Sequence, residues 1–169
     1  MRFLTLIVIA SLFIPVALSS QMTSAGSVSS SSIVINEVEL NPEGKDSWSS
    51  VNEWIELYNP SDSPVDVGGW AISSSALLAR SSAITIPQNI VIPAKGLLLI
   101  YSNSPWLNDF NEIVVLYDAQ NNTVDQAGPF NDNGNDSNSW QAVPNGSDNW
   151  VFKWNTKQAS NDGYTHPNQ

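Results

Sequence analysis

From Ile33 onward, apolar side chains recur at every second position, and breakers interrupt them every eight to twelve residues. A period of two is the signature of a strand with one face against a core; a helix needs 3.6. The spacing predicts strands over 33–40, 52–59, 69–74, 82–86, 89–92, 97–102, 113–118, 123–128, 139–143 and 150–154. Asn59-Pro60-Ser61-Asp62 and Pro93-Ala94-Lys95-Gly96 stop strands, because proline has a fixed φ and no N–H to give. Ala119-Gln120-Asn121-Asn122 separates two alternating runs and predicts a β-hairpin with a loop of about four residues. No segment carries a sustained helical stripe with caps. About ten short strands with no helix between them predict an all-β domain of two antiparallel sheets packed face to face, with a closed barrel as the alternative.

Only the N-terminus departs from this pattern. Arg2 precedes an uncharged apolar run over 3–18. Ala17 with Ser19, or Thr23 with Ala25, then fits the −3 and −1 positions of a signal-peptidase site. The run falls short of the roughly 20 residues of a spanning helix, and Pro15 lies near its end. The expected organisation is a signal-peptide helix within 1–25, a Ser-rich linker over 26–32, a β-sandwich over 33–158 and a flexible tail over 159–169. The protein is therefore expected to be secreted or held at the extracellular surface, touching a membrane only through an uncleaved leader.

Charge and cysteine content exclude several classes of function. Thirteen per cent of residues are charged, the formal net charge is −10, and every Asp and Glu lies after residue 36. A field of that sign repels phosphate backbones, so no direct nucleic-acid binding is expected. With no cysteine, disulfides, thiolate catalysis and Cys-based zinc sites are excluded. No cofactor is implied.

Catalysis finds poor material. The single histidine, His166, lies four residues from the end, where it cannot be held to catalytic tolerance. Glu37 with Glu39, and Glu53 with Glu56, are nominal carboxylate pairs for a small secreted hydrolase. Their plainer reading is surface or structurally paired carboxylates. The run NDNGNDSN over 131–138 places Asp132 and Asp136 among oxygen ligands of the kind calcium takes, but its register misses an EF-hand loop, and such a run also describes a solvated surface loop. Asn121, Asn135 and Asn145 head N-glycosylation sequons in loops. Trp106, beside Pro105 in a loop, is the candidate for an exposed glycan or partner contact; Trp150, Phe152 and Trp154 share one strand face.

Several segments resemble the lamin tail domain family. They are Ile33-Val34-Ile35-Asn36-Glu37-Val38 with Asn41-Pro42, then Glu53-Trp54-Ile55-Glu56-Leu57-Tyr58-Asn59-Pro60, then Val65-Asp66-Val67-Gly68-Gly69-Trp70. Ile84-Thr85-Ile86-Pro87, Ile92-Pro93-Ala94-Lys95-Gly96, Val115-Leu116-Tyr117-Asp118, Val124-Asp125 and Ser139-Trp140-Gln141-Ala142-Val143-Pro144-Asn145-Gly146 continue the pattern in order. Where the family usually carries an Arg, this chain has Gln141-Ala142, so no role of that cation transfers. The resemblance implies an immunoglobulin-like antiparallel β-sandwich and a non-catalytic interaction or scaffolding module, secreted or at the cell surface. The expected partner is a protein or envelope component. A carbohydrate-binding module of the envelope is the alternative.

Overall fold

In a computed structural model, residues 33–44, 52–75 and 83–163 are described. The leader, the linker and His166 lie outside them. Eleven strands run in order: β1 (Val34–Glu39), β2 (Trp54–Tyr58), β3 (Val65–Asp66), β4 (Ala71–Ser74), β5 (Ile84–Thr85), β6 (Val91–Ile92), β7 (Leu97–Tyr101), β8 (Glu112–Tyr117), β9 (Thr123–Phe130), β10 (Asn138–Ala142) and β11 (Trp150–Trp154). They form a five-stranded sheet β11-β10-β1-β2-β7, a four-stranded sheet β5-β4-β8-β9 and a short pair β3-β6. Every pairing between these strands is antiparallel. The fold is the expected immunoglobulin-like sandwich, and no helix among the described residues is long and apolar enough to cross a membrane.

Alternation places most of the core, and a bulge between Ile35 and Glu37 in β1 lets both Ile35 and Val38 face inward. Ile35, Val38, Ile55, Leu57 and Ile100 of the larger sheet meet Ile72, Val114, Leu116 and Phe130 of the smaller one. Burying each such side chain stabilises the fold by roughly 1.5–3 kcal/mol. The 119–122 hairpin forms because Asp118 caps it: Oδ1 accepts from the amides of Gln120 (2.9 Å) and Asn122 (2.8 Å), and Asn121 takes φ 80° at the tip. Asn59 closes its own turn, donating to the carbonyls of Ser63, Ile92 and Pro93 and accepting from Ser61.

The opposite face of the larger sheet is buried as well. Registers Glu37↔Glu56, Glu37↔Gln141 and Glu39↔Trp54 put Glu37, Glu39, Trp54, Glu56 and Gln141 on one outer patch. All five are buried, and residues 155–161 cross the sheet as a strap over Glu37, Trp54, Glu56 and Gln141. Lys157 lies 5.3 Å from the Trp54 ring centre. Trp54 thus packs under the strap and not between the sheets. Part of the expected tail is also packed, since Asn161 is wholly buried.

Candidate functional site

The strap and the outer patch make a polar seam. Glu37 Oε1 accepts from Ser139 Oγ (2.6 Å) and from the Thr156 amide (2.8 Å). Thr156 Oγ1 stands 2.7 Å from Glu37 Oε2 and 2.7 Å from Asn161 Oδ1. The Asn161 amide is oriented by its Nδ2, which donates to the carbonyls of Asn36 (2.9 Å) and Ala142 (3.0 Å). One hydroxyl proton cannot serve two acceptors. The proton count is met if Glu37 holds a proton and donates to Thr156, which donates onward to Asn161, with Gln141 Oε1 a further acceptor at 3.1 Å. Burial pushes the Glu37 carboxyl up in pKa, in agreement with that count.

Four further carboxyls share the displacement, among them Asp125, which accepts from the Ile35 amide at 2.7 Å. Burial holds Glu39 up to about 9, helped by nearby Asp132 and Asp136, although the Asn41 amide dipole opposes it. Glu56 is raised to about 7 by burial, against the Gln158 amide that donates to its Oε1 at 2.8 Å. Asp132 is raised to about 6, again chiefly by burial. Apart from the Asn41 amide, which reaches it only in poor hydrogen-bond geometry, Glu39 meets no donor among the described residues, and Glu56 Oε2 and Asp132 Oδ2 meet none. Glu39 and Asp136 line an open cleft of about 260 Å³ together with Glu43, Asn52, Trp54 and Lys157.

These positions revise several expectations. Glu37, Glu39 and Glu56 are fully buried, so they are not surface carboxylates. Glu53 is used structurally: its Oε2 accepts from the amides of Trp106 (2.6 Å) and Leu107 (2.7 Å). That contact corrects the expectation for Trp106, which is only 4% exposed and donates its indole N–H to the Glu53 carbonyl. A loop tryptophan is buried here because a neighbouring carboxylate satisfies its backbone. The 131–138 run is not a solvated loop throughout, since Asp132 is 2% exposed and Asp136 bridges to Pro42.

Aromatic exposure falls elsewhere. Phe130, Trp140, Trp150 and Phe152 form a chain of ring contacts with centroids 4.8–5.3 Å apart, and Phe152 at its end is 38% exposed. Asn121 stands exposed at a hairpin tip, whereas the Asn145 side chain is occupied by Asn36, Ser160 and Asn161. Asn135 is exposed but clamps Gly44 with both ends of its amide. Asn36 anchors the turn at Gly146, accepting its amide at 2.8 Å. Tyr58 packs close enough that a Cβ at Gly146 would stand 3.0 Å from its ring. The Lys95 ammonium donates to the Pro60 carbonyl, and Trp70 packs against the core from its rim. Thr156 and Asn161, which hold the seam together, carry no sequence signal beyond their polarity.

Fold and seam together define an immunoglobulin-like interaction module stiffened by buried polar contacts. The family model of the Lamin Tail Domain matches residues 27–130, more than half of the chain, and the chain belongs to that family. The match ends with β9, so β10, β11 and the strap lie beyond it. A comparison with curated proteins finds no match.

Proposed function

We propose that the protein is an exported, non-catalytic interaction module that captures an extended segment of a protein or envelope partner along β7. The carrying observation is the edge itself. Among the described residues, β7 ends the larger sheet with one side unpaired, and β5 ends the smaller one. Between them runs an apolar groove of about 270 Å³ lined by Ile84, Ile86, Ile90, Leu98, Ile100 and Tyr101. Tyr101 is 54% exposed. An open edge supplies backbone donors and acceptors in register, and a groove beside it selects side chains. Export is read from the apolar leader over 3–18. The non-catalytic reading is supported by the strap, which lies over Glu37 and Glu56 and keeps them from a substrate.

A photo-crosslinking residue at position 101, in cells carrying the protein, tests this. One discrete adduct is expected, and it should disappear with Thr85→Lys, an exposed change on the opposite groove wall. An adduct pattern indifferent to Thr85→Lys would reject the edge. Retention on envelope polysaccharide that is lost with Phe152→Ala would favour the second reading, a carbohydrate-binding module using the exposed end of the aromatic chain.

A further inference from the structure

The two flanks where the sheets end are built differently. At one, β11 and β9 are the terminal strands among the described residues. There Phe130 of β9 packs on Trp140 and Trp150 of the larger sheet, with centroids 5.3 and 4.8 Å away, so aromatic rings fill the gap between the sheets. The edge strand β11 also carries Lys153, whose ammonium donates to the Asn161 carbonyl at 3.1 Å. A lysine on an edge strand discourages pairing with another chain. At the other flank, β7 and β5 are terminal, and the gap is the apolar groove beside Tyr101. β7 reads Leu97-Leu98-Leu99-Ile100-Tyr101, with no charge, no proline and no bulge to protect it.

Charge singles out the same flank. The chain has sixteen acidic residues and a net charge of −10, yet no acid lies between Ala83 and Asn108. The one cation in that stretch, Lys95, is paired with Asp62 at 3.0 Å. Glu56, which stands opposite Leu99 within the sheet, is fully buried. A strongly basic or acidic partner therefore finds little to hold here. A second copy of the chain, repelled elsewhere by its own sign, meets no like charge along β7.

We propose that β7 pairs with β7 of a second copy across a two-fold axis, joining the two five-stranded sheets edge to edge. This rests on the reading of β7 as the binding edge and names its occupant. A strand paired antiparallel with its own copy is self-complementary, as a closed dimer requires. Pairing centred on Leu99 sets Leu99 against the partner's Leu99, Leu98 against the partner's Ile100 and Tyr101 against the partner's Leu97. The registers Tyr58↔Leu97, Glu56↔Leu99 and Trp54↔Tyr101 put Leu97, Leu99 and Tyr101 on the outer face, while Leu98 and Ile100 face the core. The exposed ring of Tyr101 thus covers an apolar side chain of the partner. A five-residue strand pair alone buries less than the roughly 1,200 Å² of a stable interface, so the groove walls share the contact. A dissociation constant of about 1–100 µM is expected.

Sedimentation equilibrium of the exported chain between about 1 and 300 µM tests this. The mass should rise from one copy to two, and the dimer should tighten severalfold between about 0.05 and 0.5 M NaCl, as salt screens the repulsion of two acidic bodies. Tyr101→Lys, at an exposed position that the fold does not need, should weaken the dimer at least about tenfold. The chain has no cysteine, so single introduced thiols report contact cleanly. Under mild oxidation Leu99→Cys should give a disulfide-linked dimer, whereas Phe152→Cys on the opposite edge should stay monomeric. A single-copy mass at 300 µM overturns the proposal, as does a dimer indifferent to Tyr101→Lys or equal linking by the two thiols. If the chain is monomeric but a crosslinker at position 101 still captures another protein in a way that Thr85→Lys abolishes, only the second copy falls. A monomer with no such adduct sinks the β7 edge as well.

Discussion

Glu37 sits where two donors and one acceptor converge, and its protonation decides what a substitution there costs. Held as a neutral acid, it is mimicked by glutamine: Oε1 accepts from Ser139 and Thr156, and Nε2 donates to Thr156 Oγ1. Glu37→Gln is therefore expected to change stability by less than about 1 kcal/mol, whereas Glu37→Ala, leaving buried partners unmatched, costs about 3 kcal/mol or more. Urea unfolding of the two variants checks this. Equal losses would mean that the carboxyl is ionised in the folded state and that the proton count is wrong. Sequence could place Glu37 on a strand, but period two puts it on the face of Ile35; a bulge between the two, which the sequence does not mark, turns Glu37 to the outer face, where it is covered. Period two tells which residues point together, and nothing in it tells what lies above them. Trp106 illustrates the converse: proline and asparagine around it mark a loop, and only the distant Glu53 makes that loop an interior one.

Elements were legible in proportion to their length and apolar content. Strands of four or more residues each carry at least two turns of the pleat, and each was expected within a few positions of where it lies. β3, at two residues, is too short for any period and forms only because β6 pairs with it through Val65↔Ile92 and Asp66↔Val91. The strap is the instructive omission. Asn155-Thr156-Lys157-Gln158-Ala159-Ser160-Asn161 has the composition of a free tail. Its hold on the sheet comes from hydrogen bonds to groups that alternation leaves facing outward. Ending the chain after Asn155 should uncover Glu37, Glu56, Trp54 and Gln141 together. The expected loss is on the order of 3–5 kcal/mol, since several buried donors and acceptors lose their partners at once. Denaturant unfolding that matches the full chain would show the strap to be ornamental.

At the scale of the molecule, the buried acids share one sign. Asp132 at about 6, Glu56 at about 7 and Glu39 at about 9 all lie above their ordinary values, with Glu37 and Asp125 displaced the same way. A carboxyl whose folded pKa exceeds its unfolded one contributes stability that is complete below the unfolded value and lost as pH rises through the folded one. The losses therefore fall in succession between about pH 5 and pH 9. The net charge of −10 adds self-repulsion in the same direction. The exposed Lys95–Asp62 pair at 3.0 Å is too solvated to oppose it. The melting temperature is expected to be highest near pH 5 and to fall by roughly 5–10 °C by pH 8.5. Glu56→Gln should flatten the segment between about pH 4.5 and pH 7, the interval between that group's unfolded and folded values. A melting temperature that climbs from pH 5 to pH 8 would mean that these carboxyls are already ionised and compensated, and that the protons assigned to the seam are not there.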